Sequence, residues 1–496
     1  MVISQELEAE IFKVLSRPYW NAWWSTGKVG FAVQPFERSD LKYITKRLED
    51  TLVMVVGARQ TGKTTMVSQI IKGKLAEGVE PKRLLYAELD EESLQLACKP
   101  ECLLMDVIET YQKRVLKEDL WSVQSPTYLF LDEVQSVPNW ASVLKSLKPT
   151  ANVKVLATGS ASVRITQAGR ETLPGRKAVY KVFPLKFADA CRLSNKWADG
   201  DNHRKIEEWR YKLREALVNS INGRNPKLLL EALGDCKIAF TPTLLQMAAA
   251  AEDYLLIGGY PKPVTTPDRQ EAQRLLDDYA EDVIMKDLMP WFGVRDHANA
   301  KKLLYLLASA NGQELNVNTL LQRLQGSNRI TLEKYVNAFE ETALVTLVDN
   351  WSKSKMGSTK HPKVYFNDCG LRNAILGQYG APASDAELGV LAETAVHDHL
   401  RRLAFKVNGS QECGVLFNRG AQGNETDFVM KLSQQQETLP IEVKFRRQAG
   451  KRSAAGIRRF VNEEKTPGFG LTITQDEIIA DDQQAGIPLW MFLMLC

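Results

Sequence analysis

No stretch of about 20 consecutive apolar residues occurs in this chain, so no membrane-spanning helix and no membrane partner are expected. The first residues, MVISQELEAEIFKVL, contain acids and lack a basic start followed by an apolar run. They do not read as a secretory signal, and a cytoplasmic location is expected. Paired cysteines are missing too. Of the seven cysteines (Cys98, Cys102, Cys191, Cys236, Cys369, Cys413, Cys496) only Cys98 and Cys102 are close, and no second Cys/His pair follows at a zinc-like spacing. Free thiols in a reducing compartment are expected. Histidine offers no metal motif: His297, His361, His397 and His399 sit near acids but form no H-E-x-x-H spacing, and surface positions are expected for them. Strong net charge is absent. A formal charge of +4 on 496 residues names no partner, so any nucleic-acid surface has to come from local basic clusters.

What is present is a chain long enough for two to four domains, at roughly 100–200 residues each. Residues 1–45 read as helix and an aromatic cluster (Tyr19, Trp20, Trp23, Trp24), leading into a further helix up to about residue 50. The cluster has two readings, stacking on a base or packing against the neighbouring domain. Residues 46–190 alternate strand-like runs (TLVMVVG, RLLYAELD, YLFLDE, VKVLATGS) with helical patterns, which argues for a parallel sheet covered on both faces. Residues 191–299 lose the strands and read as helices, interrupted by GGYPKPV. Residues 300–380 read helix, turn, helix, turn, helix, then two strands. Residues 381–496 open on a helix and continue with strands around VLFN, TDFVMKL and LPIEVKF.

The strongest motif is Gly57-Ala58-Arg59-Gln60-Thr61-Gly62-Lys63-Thr64, with Thr65 after it. It fits G-x-x-x-x-G-K-[ST] between a predicted strand and a predicted helix. Glycine there lets the backbone curl so that N–H groups point at phosphates, and the helix start adds partial positive charge. In this reading Lys63 reaches the β- and γ-phosphates of ATP and Thr64 ligates Mg²⁺. YLFLDE then delivers Asp132, to hold Mg²⁺ through water, and Glu133, to polarise the attacking water. Thr158 and Ser160, at the end of VKVLATGS, would emerge beside these acids, as γ-phosphate sensors or as turn-satisfying hydroxyls. Arg176, in LPGR, has two equal readings: neutralising transition-state charge in this or a neighbouring subunit, or a surface salt bridge.

GARQTGKTT, LFLDEVQ, ATGSAS, LPGR followed by VFPLKF, and GGYP together resemble the bacterial and archaeal AAA-type ATPases that carry a C-terminal domain of long-unassigned function. The resemblance runs from about residue 45 to about residue 445. VFPLKF and GGYP are scaffold signatures with no evident chemistry. Residues 191–250 are longer than the family suggests, so a helical insertion is expected. The implied α/β architecture is a P-loop AAA-type parallel-sheet domain, a helical lid, a winged helix and a restriction-endonuclease-like domain.

The winged-helix reading rests on an apolar face of Leu320, Leu321 and Leu324, a turn at Gly326–Asn328, and a helix N-capped by Thr331 with Tyr335, Val336 and Phe339 on its apolar face. A basic loop (Lys353, Lys355, Lys360, Lys363) would serve as the wing, against DNA or only as a packing spacer. Glu333, Glu340 and Glu341 on the second helix would repel phosphate. In the last section Glu393 on a helix, Asp427 at a strand start and Glu442-Val-Lys444 on the next strand follow the order of a restriction-endonuclease-like site. There Glu393, Asp427 and Glu442 would bind Mg²⁺, with Glu425 as an auxiliary, and Lys444, on the same strand face as Glu442, would orient the attacking water. Lys444, Arg446, Arg447, Lys451, Arg452, Arg458 and Arg459 form a run without acids, suited to a polyanion. Three readings stand for this section: a nuclease, an inactive binding module, or another fold. The expected function is ATP hydrolysis controlling a DNA-binding or DNA-cutting module, possible as a homo-oligomer. The rivals are a nucleotide-gated regulator or scaffold without nucleic-acid catalysis, and, less favoured for want of a separate recruiting domain, a protein remodeller.

Overall fold

The computed structural model describes residues 3–30, 32–147, 152–160, 177–194, 197, 200–289, 294, 296–324, 328–351, 361–378, 380, 384–408, 414–419, 425–432, 437–445 and 455–496. The chain divides into two compact units, residues 1–183 with 341–343, and residues 184–340 with 344–496. No helix among the described residues is long and apolar enough to cross a membrane. The six described cysteines are unpaired thiols, and Cys413 lies outside the described residues.

The first unit is built on a five-stranded parallel sheet. Its strands are β1 (Leu52–Val56), β2 (Leu84–Glu88), β3 (Thr127–Asp132), β4 (Val153–Gly159) and β5 (Lys177–Lys181), in the order β2-β3-β4-β1-β5. β1 and β3 are buried along their whole length, which is why they read as unbroken apolar runs rather than as alternating ones. β5 was not legible in the sequence: KAVYK is short and half-exposed, and pairs only with β1, at the sheet edge. The order places β3 and β1 on either side of β4, so the ends of β1, β3 and β4 converge at their carboxyl edge, where open parallel sheets bind ligands. Of the N-terminal aromatics, Trp20, Trp23 and Trp24 pack into this same core, whereas Tyr19 is exposed. Trp23 and Trp24 both donate their indole N–H to the Leu84 carbonyl, at 3.0 and 2.8 Å, and Trp20 meets Tyr86 edge to face.

The second unit begins with helices, among them the 24-residue Gly200–Gly223. Helices His297–Ser309, Val317–Arg323 and Arg329–Glu341 are followed by an antiparallel pair, β6 (Val345–Val348) and β7 (Lys363–Phe366). Leu320, Leu324, Tyr335, Val336 and Phe339 are buried on the expected faces. The cap differs from the sequence expectation: the Asn328 side chain, not Thr331, accepts from the backbone, taking the Thr331 N–H at 2.9 Å, because the helix starts at Arg329. Gly326 of the expected turn lies outside the described residues, as do Lys353, Lys355 and Lys360.

The chain then enters the long helix Asp385–Asn408 and a six-stranded sheet. Its strands are β8 (Val415–Arg419), β9 (Glu425–Leu432), β10 (Glu437–Lys444), β11 (Gly470–Thr474), β12 (Ala480–Asp481) and β13 (Gln484–Pro488), in the order β12-β13-β11-β10-β9-β8. β9 is antiparallel to β8 and β10, whereas β10 and β11 are parallel. The helix Ala455–Glu463 makes the crossover between them.

The histidine expectation fails at two positions. His397 and His399 are fully buried on the long helix, not on the surface. His399 Nδ1 donates to the Ala395 carbonyl at 2.8 Å, and Nε2 accepts the Phe187 N–H at 3.1 Å. His397 stacks on Tyr365. Each is a neutral core ring, a role that helical periodicity alone did not separate from a surface one.

Candidate nucleotide site and C-terminal acid cluster

The loop between β1 and the helix Lys63–Ala76 is curled by two left-handed residues, Gln60 (φ 61°) and Gly62 (φ 92°). Gly57 is required for another reason. A Cβ there would stand 2.0 Å from the Val182 carbonyl oxygen, so only glycine lets the loop leave β1 beside that segment. Thr61 Oγ1 donates to the Ala58 carbonyl at 2.8 Å and closes the turn from inside. Arg38, which sequence reasoning did not single out, clamps the loop: Nη1 donates to the Thr61 carbonyl at 2.8 Å and Nη2 to the Phe183 carbonyl at 2.7 Å. Lys63 is buried, and its ammonium donates to the carbonyls of Gly57 and Ala58 at 3.0 and 3.1 Å.

The acids of β3 meet this loop. Thr64 Oγ1 donates to Asp132 Oδ2 at 2.7 Å, and the Tyr86 hydroxyl donates to the same oxygen at 3.0 Å. Thr158 Oγ1 donates to the other oxygen, Asp132 Oδ1, and accepts the Glu133 N–H at 3.2 Å. Glu133 itself sits in the left-handed region (φ 51°), a strained conformation for a residue with a side chain. Gln135 Nε2 and the Ser160 N–H and Oγ converge on its Oε2, the last two at 3.2 Å. Thr158 and Ser160 thus hold the two acids in place. Tyr86 and Gln135 were missed; the signal for Tyr86 was its place in RLLYAELD, one strand away from YLFLDE.

The electrostatics are those of a crowded anionic edge. Burial, then the neighbouring Asp90 and Asp132, pushes the Glu88 carboxyl up to about 7. Burial with Glu133 and Asp132 pushes Asp90 up to about 6. Burial and the adjacent Glu133 also raise Asp132, against the hydrogen bonds from Thr158 and Thr64. For Glu133 burial opposes the charge, but Lys63, Gln135 and Arg59 outweigh it and hold the carboxyl below its usual range. A hydroxyl, a carboxylate and this surplus of negative charge fit a hard divalent cation. A pocket of about 360 Å³ opens beside Thr64 and Thr65, walled in part by Tyr19, Trp20 and Val33. Arg176 lies outside the described residues.

In the second unit the residues expected to form a nuclease site are also brought together. β9 and β10 pair with Phe428 opposite Ile441, which puts Asp427 beside the Glu442–Lys444 stretch. Asp427 Oδ2 accepts the Val443 N–H at 2.7 Å, and Lys444 Nζ is 3.4 Å from Glu442 Oε2. Glu393, on the long helix, accepts from the Tyr365 hydroxyl. Burial, with Asp427 next, pushes Glu393 up to about 7, and burial also pushes Glu442 up to about 7. Lys363 does not behave as a wing residue. It is buried, and its ammonium pairs with Glu425 and stands 3.9 Å from Glu393 Oε1, so it is not available to a phosphate. Among the described residues no group of three or more His, Cys, Asp or Glu side chains is arranged to hold a metal ion. As they stand, these acids do not fit a metal site of that kind. Of the basic run, Arg458 pairs with Asp481 and Arg459 with Glu463, while Arg446, Arg447, Lys451 and Arg452 lie outside the described residues.

Three family models match the chain: an AAA domain at residues 49–191, and two domains of unknown function, DUF8612 at residues 248–380 and DUF4143 at residues 388–492. The chain is 26% identical over 458 residues to an uncharacterised protein of Methanocaldococcus jannaschii, covering 92% of this chain and 86% of that one. It is 22% identical over 401 residues to one of Haemophilus influenzae, covering 80% and 83%. Among solved structures, the Walker-type ATPase of Pyrococcus abyssi is similar with a TM-score of 0.42 at 12% identity, covering 68% of this chain and 95% of that one. The segment 49–191 thus matches the AAA domain model and carries the five-stranded parallel sheet of a P-loop domain, with the loop 57–64 at the carboxyl end of β1.

Proposed function

We propose that the first unit hydrolyses ATP and that its nucleotide state controls a nucleic-acid-binding module in the C-terminal part of the chain. The observation that carries the first half is the contact of Thr64 Oγ1 with Asp132 Oδ2, 2.7 Å apart, with Glu133 next in sequence. Thr64 would hold Mg²⁺ directly and Asp132 through water; bound there, the ion supplies positive charge to the phosphates. The chain's own groups do the rest. The backbone N–H groups of the curled loop face the phosphates. Lys63 exchanges its two carbonyl partners for phosphate oxygens. Arg38 keeps the loop in shape by holding the Thr61 carbonyl. Gln135 and Ser160 gather on Glu133 Oε2, which leaves Oε1 as the oxygen to orient a water and take its proton. The test is ATP turnover by the full chain beside Lys63→Ala and Glu133→Gln. Wild-type turnover in both variants ends the reading.

The adjacency of Asp427, Glu442 and Lys444 on paired strands supports a restriction-endonuclease-like fold for residues 381–496. The basic residues Arg446, Arg447, Lys451 and Arg452, in a stretch of sequence without acids, support a polyanionic partner, with DNA as the expected one. Lys363 among the acids favours binding over cutting. Duplex DNA binding whose affinity falls steeply with salt supports this module's role, and no binding at low salt removes it.

A further inference from the structure

β7 carries Lys363 and Tyr365 two residues apart, so both side chains leave the same strand face. That face meets the acids of the long helix and of β9. The Tyr365 hydroxyl donates to Glu393 Oε1, and the Lys363 ammonium pairs with Glu425 Oε1, 3.9 Å from the same Glu393 oxygen. The lysine is held there by more than charge. Its ammonium lies 5.2 Å from the centre of the Phe417 ring, a cation–π distance, and only 7% of its side chain is exposed. The remaining acids are engaged from other sides. Arg419 stands 3.7 Å from Glu425 Oε2 while anchored on Glu314 at 2.6 Å. Asp427 takes the Val443 N–H, and Glu442 has Lys444. Glu442 is also roofed by the helix Ala455–Glu463: a Cβ on Gly456 would stand 2.1 Å from Glu442 Oε1, so that carboxylate lies against helix backbone.

A divalent ion needs several carboxylate and water oxygens at close range, in open positions around one point. Here the point between Glu393 and Glu425, beside Asp427 on the same strand as Glu425, already has a cation, delivered by a strand of the preceding segment. A second, doubly charged cation would stand next to a buried ammonium with little water between them, where like charges repel strongly. We propose that Lys363 is the resident cation of this acid cluster and takes the place of a metal ion, so that the module binds without cutting. The assignment does not depend on which polymer the module binds, and only its last clause rests on the binding reading above. It also accounts for the burial of a lysine that sequence placed in a basic wing loop.

The test uses the full-length chain and ferrous iron, which, with ascorbate and peroxide, cuts backbone close to wherever it binds; fragments are then mapped by mass spectrometry. The wild type is expected to give no fragments ending near Glu393, Asp427 or Glu442. Lys363→Met, which keeps length and removes charge, is expected to gain those fragments at least ten-fold above wild type, and Asp427→Asn in the same background to lose them. Fragments near Thr64 and Asp132 report the nucleotide site separately, so failure there is not failure here. Wild-type fragments around Asp427 overturn the proposal, as does a folded Lys363→Met without them. If Lys363→Met does not fold, the wild type still decides: manganese-dependent nicking of plasmid DNA that Asp427→Ala abolishes also overturns it, and absence of iron-directed fragments around Asp427 upholds it.

Discussion

The Gly259 N–H donates to Asp368 Oδ2 at 2.7 Å, joining the GGYP turn to the strand-to-helix corner that follows β7. Asp368 also caps the next helix, its Oδ1 accepting the Leu371 N–H at 2.8 Å. Gly258 has φ +75° and ψ −159°, a region essentially reserved for glycine, and a Cβ on it would stand 2.1 Å from Asp368 Oδ1. Leu185, of VFPLKF, completes the junction by donating its N–H to the Gly259 carbonyl at 2.6 Å. Two sequence signatures without chemistry are therefore one piece of scaffold. Gly258→Ala is expected to destabilise the second unit by roughly 2–4 kcal/mol, the sum of backbone strain and overpacking. Chemical denaturation of that unit measures it; a loss below about 0.5 kcal/mol contradicts the geometry.

Acid should cost the second unit stability through His399. Burial holds His399 down to about 4, with Asp398 pulling up and Arg402 and Lys186 pushing down. Tyr254 packs edge to face on the ring, and Cys496 Sγ donates to the His399 carbonyl. The folded value lies below the ordinary one near 6.5, so the fold holds the neutral ring. Its stability is fully present above about 6.5 and is lost as pH falls towards 4, by roughly 3 kcal/mol in all. Asp398, held down to about 2 by Arg402 and Arg401 against burial, adds a further loss below about 4. The difference in unfolding stability between wild type and His399→Gln, followed from pH 8 to pH 4, should show the first loss, since His397, Glu393 and Glu442 titrate in both proteins. An unchanged slope in that variant removes His399 as the cause.

How much of this was legible follows a pattern of periodicity and partners. The phosphate loop and YLFLDE were readable because each is a local signature: glycine spacing before a helix, and acids at the end of a wholly buried strand. The E-x-K pair was readable for the same reason, two residues apart on one face. Roles set by distant partners were not. Lys363 looked like a wing cation until Glu425, 62 positions later, was seen to pair with it. Arg38 carries no motif, and its function comes from two carbonyls that only the fold brings near it. β11 and β13 were missed because GLTIT and QAGIP, though buried, are short and contain glycine, which weakens any propensity-based reading.

Arg38→Ala should weaken ATP binding without removing a phosphate contact. Its guanidinium fixes the carbonyls of Thr61 and Phe183, and truncation leaves both without that donor. Loss of a charged hydrogen-bond donor to a buried carbonyl commonly costs about 1–3 kcal/mol. A rise in the ATP dissociation constant of roughly 5- to 100-fold is expected, read by titration with a fluorescent nucleotide. Arg38→Lys should recover only part of it, since a single ammonium cannot reproduce the two-pronged geometry. Undiminished affinity in Arg38→Ala means the loop keeps its shape unaided.

Glu133→Gln should bind ATP and hydrolyse it slowly, and the residues around Glu133 make that claim divisible. Removing a group that takes a proton from the attacking water costs on the order of 10²–10⁴ in rate. Glutamine keeps the shape and the contact with Ser160 but cannot accept the proton. Ser160→Ala tests another quantity. Its hydroxyl and N–H both reach Glu133 Oε2, so the variant loses one of two Ser160 contacts and frees the carboxylate to turn. If Ser160 acts through Glu133, Ser160→Ala lowers kcat by less than Glu133→Gln does and leaves KM for ATP near wild type. In a Glu133→Gln background it should then do almost nothing further, because residues acting as one unit are not additive. A sensor of the γ-phosphate would behave otherwise: KM would rise, and the loss would multiply with that of Glu133→Gln. Steady-state ATP hydrolysis by the four proteins separates the two, and a multiplicative loss would falsify the holding role assigned to Ser160.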